Sequence, residues 1–112
     1  MEPIASRSQK HAWTWRIKPE HLDEYVRMHR DPWPEILQEH TRAGIRNYSI
    51  FQNGCQFFYC LECDDIGHAL AYLAASEACQ RWNAITSQMV ESGFDLGEDN
   101  ALPFLPEVFF LA

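Results

Sequence analysis

The sequence predicts one α+β domain in which helices cover one face of an antiparallel sheet. Residues Ala12 to Ile17 alternate Trp13, Trp15 and Ile17 with Ala12, Thr14 and Arg16, the period of a half-buried strand. Two β-rich runs meet at Asn53-Gly54, a hairpin signal. Segments with helical spacing precede and follow that hairpin. The order β-α-β-β-α-β is the split-βαβ, ferredoxin-like topology. A chain of 112 residues is one domain, 1–112, large enough for a single core and small enough to gain from oligomerisation. Residues 1–10 carry no periodic pattern and read as a flexible N-terminal extension.

After the first strand, Lys18-Pro19 opens a helix, with Pro near its first turn and Glu20, Asp23 and Glu24 near the positive end of its dipole. Leu22, Val26, Tyr25 and His29 form its inward stripe. Pro32 stops it, lacking an amide donor and pushing Asp31 out of the α region. Asp31 and Pro32 suit the N-cap and first turn of a second short helix with Trp33, Ile36, Leu37 and His40 inward and Gly44 as its C′ residue. The hairpin runs are Ile45 to Phe51 and Gln56 to Cys63, joined by a two-residue type I′ turn at Asn53-Gly54. Asp64-Asp65 can cap a helix from about Ile66 to Ala74. Ser76 caps the next, with Ala78, Trp82, Ile85 and Met89 inward and Gly93 at its end. Residues Asp95 to Pro106 are acidic and proline-bearing, so they read as a loop, and Val108 to Leu111 as a last short strand. Large apolar groups on both faces of the strands, among them Trp13, Trp15, Phe57, Phe58, Tyr59 and Leu61, predict that the sheet face left by the helices meets a second copy, giving a homodimer.

Composition excludes several function classes. Hydrophobic residues make up 46% and aromatic residues 13% of the chain, which argues against disorder. A formal net charge of −7 argues against nucleic acid or an anionic membrane as partner, since both demand basic patches. Nothing approaches the roughly 20 apolar residues of a membrane span, and no apolar signal-like segment opens the chain, so a cytoplasmic location is expected. Cys55, Cys60, Cys63 and His68 spell C-x4-C-x2-C-x4-H, a spacing that soft metals can use. Cys60 and Cys63 fall in a strand-like run, however, and side chains three apart on a strand point to opposite faces. Reduced, mostly buried thiols with no metal are the expected state.

The segment from Tyr25 to Glu35 concentrates the chemistry. Tyr25 and His29 stand four apart, on one helical face, and Trp33 follows between two prolines. Histidine gives and takes protons near neutrality, and a tyrosine beside it can hold a polar ligand. Each residue also has an ordinary explanation. Tyr25 can lay its ring over the helix, Tyr48 suits a strand by propensity, Trp82 lies on a core-type stripe, and Glu35 suits a helix start. Trp33 and Pro34 suit a pocket wall.

The chain resembles the L-rhamnose mutarotases in four blocks, in order and at similar spacing. They are Tyr25-x3-His29-x3-Trp33-Pro34-Glu35, then Gly44-Ile45-Arg46-Asn47-Tyr48-Ser49-Ile50, then Cys79-Gln80-Arg81-Trp82, then Glu107-Val108-Phe109-Phe110-Leu111. The resemblance implies a dimeric α+β barrel that interconverts the α and β anomers of a 6-deoxy-L-hexose without a cofactor. It implies His29 as proton donor and Tyr25, Tyr48 and Trp82 as sugar-binding residues. Where the family carries a second tryptophan after the one matching Trp82, this chain has Asn83, a hydrogen-bonding amide at a substrate-binding position, which keeps L-fucose open beside L-rhamnose. Mutarotation itself requires only that the ring oxygen gain a proton while the anomeric hydroxyl loses one. That work suits His29, with tyrosines on hydroxyls and an indole against the C–H face. A cofactor-free monooxygenase of the same fold and a non-catalytic sugar-binding module are the rival classes.

Overall fold

A computed structural model describes residues 9–94 and 102–112 of the chain. The expectations for the N-terminal extension through residue 8, and for residues 95–101 of the acidic loop, lie outside the described residues. Strands β1 (Lys10–Arg16), β2 (Arg46–Asn53) and β3 (Gln56–Glu62) form an antiparallel sheet in the order β1-β3-β2. A single 3₁₀ turn at Pro19–His21 leads into α1 (Leu22–Arg30), followed by α2 (Pro34–Arg42), α3 (Ile66–Ala75) and α4 (Glu77–Thr86). This is the expected α+β plan through its second pair of helices.

The pleat sorts the sheet's aromatic residues. Tyr59 pairs with Trp13 on one side and Ile50 on the other, so all three share a face. Trp13, Phe57, Tyr59 and Leu61 are buried on that face, and the indole of Trp13 stacks on the Tyr59 ring at 5.0 Å and 4°. Burying each such side chain stabilises the fold by about 1.5–3 kcal/mol. Phe58 pairs with Thr14 and Phe51, and this set faces away; Phe51 is 65% exposed. Phe57, Tyr59 and Leu61 are thus core, while Phe58 and Cys60 lie on the outward face.

Local boundaries shifted for identifiable reasons. The hairpin loop is Gly54-Cys55, not Asn53-Gly54, because Asn53 pairs with Gln56. Gly54 has φ 63° while Cys55 is not among the positive-φ residues, the pattern of a type II′ turn with glycine first. Helix α2 starts at Pro34 with Trp33 at its N-cap, later than the Asp31-Pro32 start expected, since Pro34 at N1 forfeits no hydrogen bond. Helix α4 ends at Thr86 rather than running towards Gly93. Lys18 donates to the Met89 carbonyl and Ile17 bridges Val90, so the chain leaves the helix to meet the end of β1. Ile85 is consequently exposed.

The last strand does not form. Val108, Phe109 and Leu111 are 96%, 78% and 80% exposed and belong to no ladder. The segment touches the β1 edge first, where the Leu105 amide donates to the Ala12 carbonyl and Phe104 meets the rings of His11 and Trp13. Beyond it, Phe110 lies against the Lys10 ammonium at 4.9 Å. An apolar strand sequence needs a neighbouring strand to satisfy its backbone, and among the described residues no strand pairs with this segment.

The helices are tied together beside the core. The Glu39 carboxylate on α2 accepts from Ser76 Oγ at 2.8 Å and from Tyr72 Oη at 3.0 Å. Ser76 is also the N-cap of α4, its Oγ accepting from the Cys79 amide. That junction fixes where α4 begins, and hence where Trp82 stands, two turns on.

Candidate active site

A cavity of ≈ 590 Å³ opens between α1, α2 and the helix-covered face of β2, a size typical of small-ligand sites. Strand alternation puts Arg46, Tyr48, Ile50 and Gln52 along one wall. The register slips between Arg46 and Ser49, with Asn47 at φ 50°, a left-handed conformation that asparagine tolerates. Tyr48 follows directly on that residue.

His29 enters from α1. Its Nδ1 lies 2.8 Å from the Tyr25 carbonyl oxygen, one turn back. A carbonyl only accepts, so Nδ1 carries the hydrogen and Nε2 is the nitrogen left to exchange a proton. Burial lowers the pKa of His29 below 6.5, opposed in part by that same backbone bond. The protonated ring is therefore scarcer than in water and a stronger acid. Trp82 meets the imidazole edge-on at 5.5 Å and 77°, and Trp33 meets Trp82 at 5.0 Å and 86°. Trp33 buttresses the platform, and Pro32 lines the cavity beside it.

Tyr25 is brought to His29, with the rings 4.3 Å apart, but it stands beneath the cavity rather than in its wall. Its hydroxyl is 2.6 Å from that of Tyr59. Desolvation pushes the Tyr25 phenol up to about 12, and raises Tyr48 and Tyr59 as well. All three stay neutral at ordinary pH. They can hold hydroxyls but cannot carry away protons. Tyr48 is 37% exposed and lines the cavity. Asn83, half-buried next to Trp82 on α4, does not line the cavity. Glu35 is exposed in the first turn of α2.

Two contributors escaped the sequence reading. Tyr59 registered only as an apolar strand position, although its pairing with Trp13 makes it the partner of the Tyr25 hydroxyl. His40 registered only as part of the apolar face of α2, yet it lines the cavity. Arg46 and Gln52 line it as well, and the alternation of β2 on either side of Tyr48 is the signal for them. For His40 no local spacing to His29 exists, because the two stand on different helices. The four cysteines are free thiols, Cys63 and Cys79 buried and Cys55 and Cys60 half-buried. Among the described residues no three or more His, Cys, Asp or Glu side chains gather as a metal site would require.

A small α+β domain with histidine, an indole and a neutral phenol lining a cavity large enough for a small ligand suits a carbohydrate isomerase that works by proton transfer. Comparison with known proteins agrees. The family model for L-rhamnose mutarotase matches residues 10–111, and the chain belongs to that family. An L-rhamnose mutarotase of Burkholderia ambifaria is 33% identical over 85 residues, covering 75% of this chain and 82% of its own length. That of Shouchella clausii is 31% identical over 104 residues, covering 90% and 96%. The crystal structure of an L-rhamnose mutarotase from Formosa agariphila superposes with a TM-score of 0.69 at 21% identity, covering 92% of this chain and 98% of that one, a likeness of fold.

Proposed function

We propose that the protein interconverts the α and β anomers of L-rhamnose by acid–base opening of the sugar ring. The observation that carries this is His29: its Nδ1 is committed to the Tyr25 carbonyl, so Nε2 is the one ring nitrogen left for a ligand in a cavity walled by Trp82 and Tyr48. In the proposed cycle protonated His29 gives its Nε2 proton to the ring oxygen as the C1–O5 bond breaks, while the anomeric hydroxyl passes its proton to a base in the cavity as C1=O1 forms. The aldehyde turns about C1–C2, and closure of the ring on its other face reverses both transfers. Tyr48 hydrogen-bonds a sugar hydroxyl, and Trp82 packs against the C–H face. Tyr25, bonded to Tyr59, supports the floor under His29 and fixes its backbone acceptor. General acid–base assistance of this kind contributes about 10²–10⁴-fold, enough for a reaction that already proceeds slowly in water.

A homodimer belongs to the same proposal. The exposed apolar run Val108, Phe109 and Leu111 and the outward Phe51 and Phe58 are surfaces that a second copy would cover, the former as an added strand. Four free thiols favour a reducing, cytoplasmic setting. No helix among the described residues is long and apolar enough to cross a membrane. Saturation-transfer NMR on L-rhamnose, with L-fucose in parallel, tests the activity. Faster α–β exchange of rhamnose in the presence of the protein is expected; rhamnose exchange at the rate of buffer alone would reject the reading.

A further inference from the structure

Ring opening needs a group to take the anomeric proton as well as one to protonate the ring oxygen, and the cavity wall holds few candidates. Among the described residues no carboxylate lines it. Its two guanidinium groups, Arg30 and Arg46, do not deprotonate in proteins. The phenol of Tyr48 is desolvated and neutral. What remains is a second imidazole, His40, on α2.

His40 is wired as His29 is. Its Nδ1 lies 2.7 Å from the Ile36 carbonyl, again one turn back on its own helix. Nδ1 therefore carries the hydrogen, and the lone pair of the neutral ring sits on Nε2. The backbone around it is closed tightly. Ile45 donates to the His40 carbonyl and Gly44 to that of Thr41, each at 3.0 Å, with Gly44 at φ 91°, which is a Schellman end to α2. Tyr48 lies 5.8 Å from the His40 ring at 38°. The preceding Glu39 turns its carboxylate to Ser76, Tyr72 and Arg42, so it does not bind the imidazole. Two histidines, each with Nδ1 bonded one turn back and Nε2 left over, thus line one cavity.

We infer that His40 is a second catalytic residue, the group that accepts the anomeric proton while His29 donates to the ring oxygen. The inference rests on the mutarotase reading. In the opening step the proton on His29 Nε2 passes to O5, the C1–O5 bond breaks, the O1–H bond breaks as C1=O1 forms, and that proton goes to His40 Nε2. Closure on the other face reverses each transfer. The pair holds one proton throughout, so the charge in the cavity is unchanged over the cycle.

The test compares wild type with His40→Leu, His40→Gln and His40→Ala, all by L-rhamnose exchange NMR with thermal melts alongside. Leucine and glutamine fit the helix but neither takes up a proton near neutral pH. A fall in kcat of about 10²-fold or more with KM within about threefold is expected for both. Added imidazole is expected to restore His40→Ala saturably, above the exchange that imidazole alone causes. A folded His40→Leu with kcat within about threefold of wild type, a loss confined to KM, or a His40→Ala deaf to imidazole would overturn the inference. A wild-type protein inert towards L-rhamnose would instead overturn the mutarotase reading and this inference with it.

Discussion

The hydroxyls of Tyr25 and Tyr59 lie 2.6 Å apart in the buried floor beneath His29, joining α1 to the central strand. Residues 34 positions apart in sequence thus share one hydrogen bond, and that bond holds the helix carrying His29 against the sheet. Tyr59→Phe removes one partner and leaves the Tyr25 hydroxyl buried, at an expected cost of about 1–3 kcal/mol. The double variant Tyr25→Phe/Tyr59→Phe should cost less than the two single changes added together, because nothing polar is then stranded. Urea unfolding of the four proteins measures the coupling; strict additivity would mean that the bond contributes nothing.

His29→Ala is expected to lower catalysed L-rhamnose exchange by at least about 10²-fold while the protein stays folded. His29 is half-buried at the cavity wall rather than in the core, so its removal enlarges a space already present. Exchange NMR together with circular dichroism checks both halves. Wild-type exchange in the folded variant would remove His29 from the chemistry.

Stability should depend on pH through the half-buried imidazoles. His29, His40 and His11 all have pKa values lowered from 6.5, in each case chiefly by burial. Between 6.5 and the lowered native values the unfolded chain binds protons that the folded one refuses. The contribution is therefore whole above about pH 6.5 and is lost as pH falls through the native pKa values. Thermal melts from pH 8 down to pH 5 should show a falling midpoint, and His40→Leu should flatten that fall. A midpoint that rises on acidification would contradict the burial argument.

The C-terminal segment should govern assembly. Sedimentation at micromolar concentration is expected to report about twice the 13.1 kDa chain mass. Val108→Lys with Phe109→Asp, at positions where one copy makes no core contact, should shift it to the monomer without lowering the monomer's intrinsic fold. A wild-type monomer at these concentrations would defeat the strand-addition idea.

Asn83 separates sequence position from cavity position. Because it stands outside the cavity wall, Asn83→Trp is expected to leave the ratio of rhamnose to fucose exchange rates within about twofold of wild type. A discriminating hydrogen bond in a partly dry site would be worth far more than that. Parallel exchange measurements decide it, and a large change in the ratio would place Asn83 against the sugar.

The sequence reading succeeded where the signal was local. The 12–17 alternation placed β1, the Ser76 cap placed the start of α4, and Gly44 placed the end of α2, because periodicity and caps are written within one turn or one strand. Tyr25 and His29 shared a helical face for the same reason. The hairpin was legible, but its loop moved by one residue, since both Asn53-Gly54 and Gly54-Cys55 satisfy the glycine requirement and only the cross-strand register chooses between them. Val108 to Leu111 carries strand propensity without a strand, because propensity cannot supply the neighbouring backbone.

What the sequence by itself determined was the types and order of the elements from β1 to α4, and the residues able to do proton chemistry or pack against a sugar ring. Tertiary structure decided which of those residues meet. Sheet pairing brought Tyr59 under Tyr25, and helix packing set Trp82 against His29 and Trp33. The same packing put His40 of α2 into the cavity that His29 enters from α1, and left Asn83 outside it. The reason is range: a hydrogen bond or ring contact between residues tens of positions apart depends on where whole elements dock, and the pattern within any one element carries no record of that.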